Sequence, residues 1–301
     1  MTAAPRLFVS TSEHARFEEF CTACRRDRYI GLCFGSPGIG KTVSARRVAF
    51  ADQFEALQPP FSDHPEVLAP LQGLAALLYT PDVINGPRAV TDHILGLWNR
   101  LLFIEAAGFI GRSKARRDCA TPQEVANLVG SRSRTVRDAN RKVDDVQATT
   151  GPKPFLHPLE LLIVDEADRL KTTSLEQLRH LFDRGEFGLV LIGMPGIEKR
   201  LARYPQLYSR IGFVHHYRPL PTTELRQILL RHLPELVELP LIQGLEAPDV
   251  VAAILRITGA NLRLVVRLLT QIARVLEINE TSTVSLDIVE AAREVLVIGS
   301  A

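Results

Sequence analysis

The sequence predicts an α/β fold, a parallel sheet sandwiched by helices, followed by a small all-helical C-terminal domain. Three observations carry that expectation. Apolar strand-like segments alternate with helical ones from Tyr29 to Pro219, the pattern of strands joined by crossover helices. A glycine-rich run, Gly35-Ser-Pro-Gly-Ile-Gly-Lys41-Thr42, separates the first such strand from the first such helix. Beyond Pro219-Leu-Pro221 only helical periodicity remains. With 301 residues, 46% apolar and 23% charged, the chain has ordinary globular composition and ample length for a buried core.

The elements follow in order. Residues 13–26 read as a helix with Phe17, Phe20 and Cys24 on one face. Cys21 and Cys24 form a lone C-x-x-C; a structural zinc site needs four ligands, so they are read as plain helical cysteines. Cys21, Cys24, Cys33 and Cys119 together fit a reducing compartment. Residues 29–34 form a buried strand and residues 43–51 a helix. Pro59, Pro60, Pro65 and Pro70 make residues 58–70 a loop. Residues 74–79 give the second strand. Val90, Ile94, Leu97, Trp98, Leu101, Leu102 and Ile104 recur at helical spacing over 87–105. Thr121-Pro-Gln-Glu124 is a capping box opening a helix that runs to about 146, and Gly151-Pro-Lys-Pro154 ends it. Residues 161–164 are a strand, Thr173-Ser-Leu-Glu176 caps a helix to about 182, and residues 188–193 and 212–216 are the last strands. Helices are expected over 223–232, 248–258, 262–276 and 285–296. The domains are therefore an N-terminal arm and helix (1–28), a core (29–219, with a basic insert near 106–150) and a helical lid (220–301). No apolar run approaches the roughly 18 residues of a membrane span, and the N-terminus lacks a signal-peptide layout, so a cytoplasmic location is expected.

Two motifs carry chemistry. The first fits G-x-x-x-x-G-K-[ST], a loop whose backbone N–H groups cradle phosphates at a helix N-terminus. Gly35, Ser36, Pro37, Gly38, Ile39, Gly40, Lys41, Thr42 and Val43 are the expected nucleotide-binding set. Lys41 would reach the β- and γ-phosphates, and the Thr42 hydroxyl would bind Mg²⁺. The second is Leu161-Leu-Ile-Val-Asp165-Glu166, a buried strand ending in two carboxylates. Asp165 would hold Mg²⁺ through its water shell and Glu166 would polarise the attacking water. Together the motifs predict binding of a nucleoside triphosphate, ATP with Mg²⁺.

Charge is unevenly spread. From Leu220 onward there are seven basic and ten acidic residues, a net of −3, which leaves +5 on the rest of a +2 chain. Residues 112–142 hold nine basic and three acidic residues. The basic nine are Arg112, Lys114, Arg116, Arg117, Arg132, Arg134, Arg137, Arg141 and Lys142. A local excess of this kind attracts phosphate backbones, sequence-independently and salt-sensitively. The string 124–136 has superficial helix-turn-helix character, but no three-helix module surrounds it, so the DNA reading applies to the patch.

An α/β core with an inserted strand, an Asp-Glu strand end and a helical lid resembles the AAA+ superfamily of P-loop NTPases. The resemblance implies an arginine finger at Arg210, just before the last strand, reaching a neighbouring subunit's site. It also implies a sensor-2 role for Arg263, in Gly259-Ala-Asn-Leu-Arg263, at the start of a lid helix. One departure is the absence of Asn, Ser or Thr where the strand 188–193 runs into Met194-Pro195-Gly196; slow turnover is expected from it. The blocks Leu161–Lys171 (LLIVDEADRLK), Gly193–Val214 (GMPGIEKRLARYPQLYSRIGFV) and Gly40–Arg47 (GKTVSARR) are similar to the TniB group of transposon ATPases, relatives of TnsC and MuB. That resemblance implies an ATPase that assembles on double-stranded DNA as a ring or filament. It would recruit or stimulate a DDE transposase, with a target-selection protein as a further partner and hydrolysis dismantling the assembly. Two alternatives stay open: an AAA+ replication initiator or helicase loader, and a P-loop kinase or metabolic NTPase. The first would carry a C-terminal winged helix, and only about 80 residues follow Leu220.

Overall fold

The computed structural model describes residues 8–57, 76–113, 159–237 and 243–295. The chain forms α1 (Ser12–Asp27), β1 (Ile30–Phe34), α2 (Lys41–Val48), α3 (Ala51–Ala56), β2 (Ala76–Tyr79) and α4 (Pro87–Ser113). These are followed by β3 (Leu161–Val164), a 3₁₀ turn (Ala167–Arg169), α5 (Thr172–Arg184), β4 (Gly188–Gly193), α6 (Ile197–Leu201), α7 (Pro205–Tyr208) and β5 (Ile211–His216). Among the described residues four longer helices follow: α8 (Thr222–Val237), α9 (Pro248–Thr258), α10 (Leu262–Ile278) and α11 (Leu286–Glu294).

The five strands form one sheet in the order β2-β3-β4-β1-β5, and every pairing is parallel. Each of β3 and β4 is buried along its whole length, as expected of strands covered on both faces. β4 lies between β1 and β3, so the strand inserted between the glycine-rich loop and the acidic strand end is a later one in sequence. β5 alternates partly buried with exposed residues, because it is the sheet's edge and only one face is covered. On that face Phe17 and Phe20 of α1 pack against His215, with Phe20 stacked at 5.3 Å.

The chain divides into two compact units. One comprises residues 17–34 and 42–216 and holds the sheet; its core includes Ile30, Leu32, Trp98, Leu162, Leu189 and Leu191. The other comprises residues 1–16, 35–41 and 217–301, with a core of Leu225, Ile254, Val265, Leu268, Leu269 and Ile272. Cys21 and Cys24 are buried on α1, and burial pushes the Cys24 thiol up to about 12.

Several boundaries differ from the sequence reading. The helix expected over 43–51 is two helices, because Phe50 adopts a left-handed conformation (φ 47°) and packs against the core. The Thr173–Glu176 capping box does not form. α5 starts at Thr172 with Lys171 as its cap residue, since fully buried Leu170 fixes where the extended chain ends. Asn85 Oδ1 accepts the Lys171 N–H instead (3.3 Å), and Glu176 pairs with Arg179. Ser285 precedes α11 and caps it, accepting from the Ile288 N–H. The Thr121–Glu124 box lies outside the described residues.

Candidate functional site

β1 ends at Phe34 and the chain turns through residues 35–40 into α2. Gly38 (φ 78°) and Gly40 (φ 114°) occupy backbone space that disfavours side chains, which is why glycine stands at both positions. Gly35 answers to crowding instead: a Cβ there would lie 2.3 Å from the Tyr217 carbonyl oxygen. Lys41 opens α2 and is largely buried; its Nζ donates to the carbonyls of Gly35 (2.6 Å) and Ser36 (2.8 Å), so the ammonium lies inside the loop's curve. Thr42 and Val43 are exposed on the first turn.

β3 leaves the sheet by the same edge as β1. Asp165 continues its ladder, donating its N–H to Tyr79 O (2.9 Å), and is 3% exposed. Its Oδ1 accepts the Glu166 N–H at 2.9 Å. Glu166 has φ 50° and ψ 41°, a conformation rare for a residue with a Cβ and common at functional sites. Its carboxylate pairs with Arg169 Nη2 at 2.6 Å.

Sequence reasoning missed the groups around this strand end. Asp168 Oδ2 accepts the Met194 N–H (2.7 Å), and a Cβ on Gly193 would lie 2.8 Å from that same oxygen. A side chain at Gly193 would have to displace the ends of the Asp168 and Ile197 side chains; the second aspartate of Asp-Glu-Ala-Asp occupies the position at the end of β4. Arg200 donates to the carbonyl of Asp168 (2.6 Å) and to that of Leu170. Buried Asn85 donates to Asp82 O (2.9 Å) and Arg169 O (3.0 Å), fastening the loop after β2 to the turn after β3. Only Asp168 had a sequence signal, its place in the acidic string.

The two arginines fall in different surroundings. Arg210 precedes β5, and its Nε donates to Asp183 Oδ1 at 2.5 Å while the guanidinium also donates to Gln206 O. Arg263 is exposed on the first turn of α10, and its backbone N–H donates to Gly38 O at 3.3 Å. Of the basic patch, Arg112 lies in the last turn of α4; Lys114, Arg116, Arg117, Arg132, Arg134, Arg137, Arg141 and Lys142 lie outside the described residues. Among the described residues, no helix is long and apolar enough to cross a membrane.

A parallel sheet with an inserted strand, a glycine-rich loop opening a helix on a buried lysine, and an Asp-Glu strand end define a P-loop NTPase fold. A family model described as an AAA domain matches residues 24–201, and the chain belongs to that family. It is 34% identical over 299 residues to a "Potential ATP-binding protein" of Staphylococcus aureus, covering 97% of each chain. The Holliday junction branch migration motor RuvB of Thermotoga maritima is similar in fold (TM-score 0.54, 15% identity), over 97% of this chain and 72% of that one. So is the Aeropyrum pernix ORC1 protein, solved in complex with DNA (TM-score 0.52, 18% identity), over 96% of this chain and 66% of that one.

Proposed function

We propose that this protein is an ATPase that binds double-stranded DNA and regulates DNA transposition, assembling on target DNA as a homo-oligomer that recruits or stimulates a DDE transposase. The observation that carries the ATPase half is the pair of strand ends: β1 runs into the Lys41 loop and β3 into Asp165-Glu166, at one edge of the sheet with only β4 between them. The relative described as a potential ATP-binding protein supports ATP as the nucleotide.

The donor set suits Mg²⁺. A threonine hydroxyl and a carboxylate are hard oxygen ligands, and Asp165 commits only Oδ1 to a backbone bond. The metal, when bound, would neutralise charge on the β- and γ-phosphate oxygens. Lys41 exchanges its contacts with Gly35 O and Ser36 O for phosphate oxygens. Glu166 orients the attacking water and takes its proton as the γ-phosphoryl group leaves. Arg210 acts on the neighbouring subunit's nucleotide, and Arg263 carries the lid's response to it. With Asp168 filling the end of β4, no side chain from that strand positions water, and turnover is slow enough for bound ATP to act as a timer.

The DNA half rests on the basic excess over residues 112–142, and transposition on the similarity of residues 193–214 to the TniB group. The fold likeness to ORC1 favours one second reading, a replication initiator or helicase loader. The deciding experiment measures DNA binding with ATP, ADP or a non-hydrolysable analogue while following particle size. Tight, salt-sensitive, sequence-tolerant binding with ATP only, in large particles, is expected, and Lys41→Ala should abolish it. Absence of DNA binding in every nucleotide state would overturn the DNA reading and leave a P-loop enzyme. Capture of a transposase on the DNA-bound assembly separates transposition from helicase loading.

A further inference from the structure

We propose that Asn261 is a positioning residue of the phosphate loop: one side-chain amide both caps α10 and sets the direction of the loop's peptide groups. Its two ends do different work. Oδ1 accepts the N–H groups of Arg263 (3.1 Å) and Leu264 (3.4 Å), two first-turn donors that no carbonyl within α10 can serve. Nδ2 donates to the carbonyl of Pro37 at 2.8 Å. The amide orientation is fixed by this arrangement, since two donors face the oxygen and a carbonyl faces the nitrogen. A third contact reinforces it: the Arg263 N–H also donates to Gly38 O at 3.3 Å.

The consequence follows from peptide geometry. In a trans peptide the C=O and the next N–H point in opposite directions across one plane. Drawing the Pro37 carbonyl toward Asn261 turns the Gly38 N–H away from α10. Drawing the Gly38 carbonyl toward Arg263 does the same for the Ile39 N–H. These are loop donors of the kind that a phosphate oxygen needs, and they are pre-aimed by carbonyls tied down on the opposite side. Gly38 admits the arrangement because it has φ 78° and because a Cβ there would lie 2.7 Å from Asn261 Oδ1. Aspartate could cap α10 equally well but has no donor, and the hydroxyl of a capping serine or threonine, which can donate, is too short to hold the Pro37 carbonyl as well. Asparagine is the capping residue that can also hold a carbonyl.

This inference rests on reading residues 35–42 as the phosphate site of a nucleotide, and the test separates the two. Asn261→Ser keeps a neutral cap of similar strength and is too short to hold Pro37 O. It should leave the melting temperature close to wild type while weakening ATP and ADP binding about two- to tenfold, the loss of one net hydrogen bond. KM for ATP should rise by the same factor with kcat unchanged, and adenosine, which has no phosphate, should bind as before. Asn261→Ala should lose both the affinity and some thermal stability. Wild-type nucleotide affinity in Asn261→Ser, alongside a destabilised Asn261→Ala, would make Asn261 a helix cap only and overturn the proposal. A wild-type protein that binds ATP no better than Lys41→Ala would overturn the nucleotide reading itself, and this inference with it.

Discussion

Glu166 combines an unfavourable backbone conformation with an occupied side chain. A left-handed residue with a Cβ costs roughly 1–2 kcal/mol, offset here by its N–H bond to Asp165 Oδ1 and by the buried Leu170 that anchors the turn beyond it. Glu166→Gln keeps that geometry and removes the base. Hydrolysis should fall by about 10²–10⁴ with ATP affinity unchanged, read by single-turnover phosphate release beside equilibrium binding. Wild-type turnover in that variant would remove Glu166 from the mechanism. Arg169 holds the same carboxylate, with side chains 44% and 45% exposed, so screening limits the pair to under about 1 kcal/mol. Freed from it, Glu166 reaches water more often. Arg169→Ala should therefore raise kcat by no more than about fivefold at constant KM. A lower kcat would mean that Arg169 orients the carboxylate rather than restrains it.

Packing between elements leaves little slack where β4 begins. A Cβ on Gly188 would lie 2.4 Å from the Cys24 carbonyl oxygen and 3.0 Å from the Arg25 Cα, and backbone cannot rotate out of the way. Gly188→Ala should cost about 1–3 kcal/mol of stability, measured as a lower denaturation midpoint at unchanged slope. At this scale β4 was legible, because a run of six apolar or glycine residues, rich in branched side chains and too short for an ordinary helix, matches a doubly covered strand. α9 was equally plain, opening on a proline and closing on left-handed Gly259. The break at Phe50 was not legible: Val48-Ala49-Phe50-Ala51 contains no glycine or proline, and the left-handed turn answers to the core against which the ring packs. The same limit governs the site. The Lys41 loop and Asp165-Glu166 are contiguous strings and could be read directly. Asn85 reaches a carbonyl 84 residues away and Asn261 one 224 residues away, and nothing local distinguishes either from an ordinary turn or cap residue.

For the molecule as a whole, the decisive question is whether each ATP site is completed by another copy of the chain. Arg210 is held by Asp183, but Asp183 is also held by Arg179 Nη1 at 2.7 Å. Moving Arg210 toward a neighbouring nucleotide therefore leaves Asp183 with a cation, and the exchange exposes no unpaired carboxylate. A mixing experiment tests the assignment in trans. Alone, Arg210→Ala retains Glu166 but lacks the finger and should hydrolyse ATP about 10³-fold or more slowly; Glu166→Gln supplies the finger but lacks the base. Mixed in equal amounts on DNA, the two inactive variants create sites with Glu166 from one chain and Arg210 from its neighbour. With random arrangement about a quarter of all sites are of that kind, so the mixture should recover roughly a quarter of wild-type activity. The recovery should vanish on dilution below the assembly concentration, which steady-state turnover against protein concentration would record. A mixture no more active than its components would place Arg210 outside the neighbouring site and leave its pair with Asp183 as its role.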